Sequence, residues 1–267
     1  MKIRHRARPA AAARFPLARA LAAVSPAVAT LVLALILAAG AAAGARADEE
    51  LKNLKVFPST TTKRELVDTM RQWNQALGVH CDFCHEQKVP GDFQSMDFAS
   101  DKIGHKEVAR RMFTMVRDLN GGPLPRAAGE PDAAVSCVTC HHGLPSPTTL
   151  DRVLLNTVHE QGAEAGVRKY RELRDRYYGS GAFDFGPGSL QVVAETLAAD
   201  PASLDAALAV GRLNVEMNPK YADGYVDLAQ ILDLKQDRAG ARAALDQALQ
   251  LEPDNRHAQR LKQKLGQ

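Results

Sequence analysis

All four cysteines of this 267-residue chain fall inside two short strings, Cys81-Asp82-Phe83-Cys84-His85 and Cys137-Val138-Thr139-Cys140-His141. The pattern is C-x-x-C-H twice with no cysteine left over, the attachment signature of c-type haem. Two cysteines three apart on one helical turn present both sulfurs to the two vinyl groups of a single porphyrin, closing two thioethers. The next residue, His85 or His141, points to the same face and offers an imidazole nitrogen to iron. The expectation is two covalently bound haem c groups, with Cys81, Cys84, Cys137 and Cys140 as thioether positions and His85 and His141 as proximal iron ligands. A group riveted in this way stays in place through every redox cycle, which suits an electron carrier.

Two other chemistries use paired cysteines, a four-thiolate zinc site and a redox dithiol. The gap from Cys84 to Cys137 is far longer than a zinc ribbon carries, and neither chemistry predicts a histidine directly after both pairs. A thioredoxin-like site also needs a βαβ setting, and no strand-like alternation flanks either motif.

The first 47 residues carry seven basic side chains (Lys2, Arg4, Arg6, Arg8, Arg14, Arg19 and Arg46) and no acidic one. An apolar run from Ala27 to Ala43 follows, then Ala45-Arg46-Ala47 just before Asp48. This reads as a secretory signal peptide cleaved after Ala47. Left uncleaved, the run approaches bilayer-spanning length and would act as a membrane anchor. An exported, periplasmic location agrees with the haem motifs, because haem is attached to such motifs outside the cytoplasm. The whole chain has 34 basic and 31 acidic side chains. Without the leader the balance is 27 to 31, so the basic character belongs to the leader and gives no reason to expect a nucleic-acid partner.

Thr62-Lys63-Arg64-Glu65 forms a capping box that starts a helix running to Gly78, with Leu66, Met70, Trp73 and Leu77 on one face. A polar loop from about Gln87 to Gly104 separates the first motif from a second helix, His105 to Leu119, whose apolar face is Val108, Met112, Met115 and Leu119. A Pro/Gly-rich loop, Gly122 to Pro131, leads to the second motif. Residues 48–149 therefore read as a pseudo-repeat of helix, loop and C-x-x-C-H. Residues 150–185 are a helical connector rich in Arg and Glu. In residues 186–267, Asn218-Pro219 and Glu252-Pro253 lie 34 apart, the tetratricopeptide length. Tyr225, Leu228, Leu232, Ala229, Ala241, Leu245 and Ala248 fit one unit of that repeat. The preceding unit is degenerate, with Gly211 and Asn214 at two of its packing positions. So few units bury little surface alone, so they are expected to pack on the helices of 150–178.

Low-spin haem iron takes a sixth ligand, commonly Met or His. Met70, upstream of the first motif, is the candidate for the first iron. On the second helix Met112 is the candidate, with Met115 as its alternative. His105 is read as a cap or surface residue, and His80, His142, His159 and His257 as non-ligands.

The stretch from about Leu54 to Gly143 resembles the cytochrome c subunit family of photosynthetic reaction centres. The segments that carry the resemblance are Glu65-Leu66, Met70 and Leu77-Gly78-Val79 ahead of the first motif, Phe98-Ala99-Ser100-Asp101, Ala109-Arg110-Arg111-Met112, Asn120, and Val138-Thr139-Cys140-His141 with Gly143. The resemblance implies electron transfer, and a helix methionine as sixth ligand to most haems. Three features depart from that family. Its photosynthetic subunit carries four haems where this chain has two motifs. The segment Gly121 to Ala134, where the family's bis-histidine haem finds its ligand, contains no histidine. The repeat tail is also foreign to it.

The sequence thus reads as an all-α protein, a dihaem c-type cytochrome domain followed by a short tetratricopeptide-like domain. It would carry single electrons between redox partner proteins, with residues 186–267 for docking. Two rivals remain at this point: a peroxidase-like haem enzyme with one open iron, and an interaction protein whose haems are structural or redox-sensing.

Overall fold

The structure, a computed structural model, describes residues 51–266. The leader and its cleavage site lie outside the described residues. Among those described, helices are the dominant structure, strands are almost absent, and no helix is long and apolar enough to cross a membrane.

Helix α1 (Lys63–Leu77) begins as its sequence dictates. The Thr62 hydroxyl accepts from the Glu65 amide at 3.3 Å, and the Glu65 carboxylate accepts from the Thr62 amide at 2.9 Å. Gly78, at φ 66°, closes the helix in the left-handed region. Helix α2 (His105–Asn120) follows the first motif. Two loops expected between these landmarks hold some regular structure. The 87–104 segment contains a two-stranded antiparallel ribbon pairing Glu86–Gln87 (β1) with Met96–Asp97 (β2). The segment after Asn120 contains a short helix α3 (Pro123–Ala128), because Pro123 sits at the first helical position, where a missing N–H costs nothing. The second motif is itself a short helix, α4 (Cys137–His141).

The connector is two helices, α5 (Leu150–Gln161) and α6 (Ala163–Tyr177), because Gly162 adopts φ 88° and ψ 171° and turns the chain. Two helix pairs follow, α7 (Pro187–Ala198) with α8 (Leu204–Met217), and α9 (Ala222–Leu234) with α10 (Arg238–Leu251), before a terminal α11 (Arg256–Leu265). One core runs without interruption through α5, α6, α7 and α8 to Ile231 of α9, centred on Tyr170, Leu190 and Val193, so the first pair packs on the connector. A second core joins α9, α10 and α11 around Val226, Leu245 and Ala258. Two positions that break the repeat pattern have structural uses. Asn214 is buried and donates to the Pro187 carbonyl at 3.1 Å, and Gly211 lets Ile231 approach.

The N-terminal half is built differently. Among the described residues, only Ala76 and Leu144 of the buried apolar side chains precede Leu150. Helices α1 and α2 meet through Trp73, Phe57 and Phe113, with ring centroids 5.2–6.0 Å apart. Trp73 is therefore taken up by a helix–helix contact and does not continue the Met70 stripe as a free face.

Candidate metal centre

The first motif is a 3₁₀ turn over Cys81–Phe83, in which the amides of Cys84 and His85 both donate to the Cys81 carbonyl, at 3.2 and 3.0 Å. That turn places Cys81 and Cys84 on one side. It is braced by α2, where the His105 ring stacks on Phe83 at 4.1 Å and its Nδ1 donates to the Phe83 carbonyl at 2.9 Å. His105 thereby ties the turn to α2. The His85 ring sits edge-on to Phe98, 5.1 Å away, with Nδ1 buried and lacking a well-formed hydrogen bond. Burial, then the nearby Lys106 and Arg110 cations, push its pKa down, against a weaker opposing pull from the Phe98 backbone. These effects favour the neutral imidazole, the form in which it ligates a metal.

Those cations belong to a network that sequence reasoning did not single out. Arg110, 6 % exposed, reaches Asp101 at 2.9 Å and Glu107 at 3.1 Å, and donates to the Asn53 carbonyl at 3.3 Å. Lys55, Asn53 and Lys106 converge on the same Asp101 carboxylate. These donors, Lys55 foremost, hold the carboxyl well below its ordinary range. The network ties residues 53–55 and the loop at 99–101 to α2, beneath His85. Its signal in the sequence was the pair of strings Phe98–Asp101 and Ala109–Arg111, which carried the resemblance without a stated role.

The second motif is held from both ends. Asn120, last residue of α2, donates from Nδ2 to the Val135 carbonyl at 2.8 Å and accepts the Val135 amide at 2.9 Å. The Ser136 amide donates to Thr139 Oγ1 at 3.0 Å, and His142 at φ 48° ends the helix. The Gly143 amide then donates to the Ala76 carbonyl at 2.8 Å, so α1 packs directly on α4. His141 is 8 % exposed, and its Nδ1 lies 2.8 Å from the Leu144 carbonyl. A carbonyl can only accept, so Nδ1 carries the proton and Nε2 keeps its lone pair. This is the second-shell arrangement that fixes a metal-ligating imidazole.

The four cysteines are free thiols. Burial raises the pKa of Cys84 and of Cys137, away from the lowered value that marks a reactive redox thiol. Among the described residues, no three His, Cys, Asp or Glu side chains converge as a metal-binding group, so the two pairs do not meet as a zinc site would require.

Around the motifs lies apolar surface that the polypeptide itself leaves uncovered. Val108, Met115 and Leu119 of α2 are 46 %, 44 % and 37 % exposed, and Phe98 and Val138 are about half exposed. Met70 and Met112 are half-buried. His80, His142, His159 and His257 are exposed, and Met96 is part of β2. Beside Cys140 is a cavity of about 600 Å³, walled by Thr149 and Arg152 of the connector and by Phe183 and Ser189. Paired thiols on one turn, a neutral or correctly protonated imidazole next to each pair, and an uncovered apolar stripe together fit a covalently held porphyrin.

The matches to known proteins point the same way. The model of the photosynthetic reaction centre cytochrome C subunit family matches residues 23–183, more than half the chain. The chain belongs to that family. It is 42 % identical over 67 residues to the photosynthetic reaction center cytochrome c subunit of Thermochromatium tepidum, covering 25 % of this chain and 14 % of that protein. It is also 35 % identical over 71 residues to cytochrome c-554 of Chloroflexus aurantiacus, covering 27 % of this chain and 15 % of that protein. The chain thus spans about one-seventh of either relative's length, while the reaction-centre cytochrome family match takes in both motifs and the connector helices. The architecture is the all-α one expected of a cytochrome c domain, and a family of c-type cytochromes implies covalent haem c and electron transfer with redox partner proteins.

Proposed function

We propose that this member of the family is an exported dihaem c-type cytochrome that carries single electrons between redox proteins. In this reading Cys81 and Cys84 anchor one haem and Cys137 and Cys140 the other. His85 and His141 are the proximal ligands, and Met70 and Met112 the distal ones, with Met115 the alternative to Met112. Residues 1–47 are the export leader, 48–149 the dihaem domain, 150–185 the connector and 186–267 a tetratricopeptide-like docking tail.

The observation that carries the reading is the missing core of the N-terminal half. Among the described residues before Leu150, the only buried apolar side chains are Ala76 and Leu144, yet an apolar stripe lies exposed beside two ordered thiol pairs. A helical unit of that size needs more buried apolar area than this to fold stably. Two porphyrins against that stripe would supply it. Bound haem contributes the one-electron couple. The chain contributes a His141 imidazole whose Nδ1 is fixed by the Leu144 carbonyl, and positive charge near His85 from Lys106 and Arg110, which disfavours the oxidised iron and raises its potential.

The test is haem stoichiometry on protein exported by a host competent in haem attachment. Wild type should carry two haems per chain, and His85→Ala and His141→Ala one each, by absorbance and intact mass. A chain carrying one haem, or none, refutes the dihaem assignment. Carbon monoxide should leave the reduced spectrum unchanged; a shift would show an open iron and favour an enzyme.

A further inference from the structure

The tail contains a carboxylate that the fold leaves without a partner. Asp227 of α9 is 8 % exposed, and its Oδ2 is buried with no hydrogen bond. Asp223 lies one turn earlier on the same helix, and Glu195 reaches the same place from α7. Tyr221, whose hydroxyl donates to Gln191 of α7 at 2.7 Å, links the two helices there and senses the same three acids together with Glu252. Among the described residues, neither lysine nor arginine pairs with any of the three. Glu195 accepts from Gln191 and Asp223 from Asn255, both neutral amides.

Such a grouping is costly in the free protein. Like charges at i and i+4 destabilise a helix, and a buried carboxyl without a partner loses its hydration uncompensated. The location also suits recognition. Helices α7 and α9 are the leading members of the two pairs, α11 follows the second, and α9 contacts both α7 and α11. The acids are therefore presented along one row of helices. Among the described residues, the acids are not drawn together tightly enough to chelate a metal ion. What answers a buried acceptor flanked by two exposed carboxylates is a cation carrying several N–H donors, a guanidinium or an ammonium.

We infer that Asp227, Glu195 and Asp223 form a recognition site for a lysine or arginine side chain of a partner protein. This gives the proposed docking tail a ligand chemistry, and rests on that reading for its biological use, though not on the haem assignment.

The experiment uses the exported ferrous protein and a short blocked peptide with a single central arginine. Its twin carries citrulline, which has the same shape and no charge. Carboxyl and ring resonances of Asp227, Glu195 and Tyr221 are followed by NMR as peptide is added. Saturable shifts at these residues are expected with arginine and not with citrulline. Asp227→Asn and Glu195→Gln should each weaken binding about tenfold, the loss of one charge-assisted hydrogen bond. Glu216→Gln, at a surface pair with Arg171 elsewhere on the tail, should leave it unchanged. Glu195 is exposed, so its variant reports even if Asp227→Asn folds poorly. Equal shifts with both peptides, or shifts confined to other residues, overturn the site. If the site fails while deletion of residues 186–267 still abolishes electron delivery to a partner, the docking tail stands and only its ligand chemistry is wrong.

Discussion

Gly78 joins the helix that carries Met70 to the turn that carries His141, and replacing it tests how the N-terminal half is held together. Gly78 sits at φ +66°, and a Cβ there would lie 2.2 Å from the Gly143 carbonyl oxygen, a backbone atom that has no rotamer in which to escape. Gly78→Ala therefore adds two penalties. The left-handed conformation costs a side-chain-bearing residue about 1–2 kcal/mol. Relieving the overlap pushes residues 141–144 away and breaks the 2.8 Å bond from the Gly143 amide to the Ala76 carbonyl, about 1 kcal/mol more. The expected loss is about 2–3 kcal/mol, a large fraction of the stability of an ordinary domain. Gly129 provides the control, because it has φ +69° and nothing within 4 Å of its Cβ position. Gly129→Ala should pay the conformational cost alone. Urea unfolding of the two variants, followed by helical circular dichroism and by Soret absorbance, separates the penalties. If Gly78→Ala and Gly129→Ala lose the same stability, the α1–α4 contact is not closed as described, and the reasoning fails.

The axial ligands can be tested spectroscopically. Met70→His should lower one of two midpoint potentials and leave the other in place, because an imidazole stabilises ferric iron relative to a thioether; an unaltered titration curve removes Met70 from the ligand set. Met112→Leu should turn one haem high-spin while Met115→Leu does not, and the reverse pattern would assign the ligand to Met115. A fourth prediction concerns acid stability. Burial first, then Glu195 and Asp223, push the Asp227 carboxyl up to about 7 from an ordinary value of 3.8. The folded state thus holds a proton that the unfolded state releases, and stability falls as pH rises through that window. Wild type and Asp227→Asn should unfold alike near pH 4. Above pH 7 the variant should be the more stable, by on the order of 4 kcal/mol at most. Parallel pH–stability curves for the two proteins would contradict a buried, unpartnered acid.

The helices of the N-terminal half were legible because local rules act within one turn: the Thr62–Glu65 box, the Gly78 stop, and the apolar stripe ending at Leu119. The thiol pairs and their histidines were legible because their chemistry demands adjacency in sequence. What could not be read is what depends on contacts across long separations. Arg110 appeared as one more cation on a charged helix, and only folding brings Asn53 and Asp101 to it. Asn120 looked like a helix stop, and in the fold it also secures Val135, 15 residues on. Trp73 lay on the Met70 stripe by periodicity, but the lead-in residue Phe57 and α2 residue Phe113 claim it. The acids of the tail escaped notice for the same reason, since Glu195 and Asp227 are 32 positions apart and neither is unusual alone.

The brace on each motif explains why two similar halves fold as one unit and not as two beads. The first motif leans on α2 through the stacking of His105 on Phe83, and His85 lies within the field of Lys106 and Arg110 from that same helix. The second leans on α1 through Gly143 and Ala76, and on the end of α2 through Asn120. Each motif thus depends on a helix that sequence proximity alone would assign to the other. With Ala76 and Leu144 as the only buried apolar side chains before Leu150 among the described residues, these ties and the Phe57–Trp73–Phe113 contact are what the polypeptide contributes to holding the halves together. Damage at one tie should therefore be felt at both motifs, and a second porphyrin should attach more readily to a chain that already holds the first.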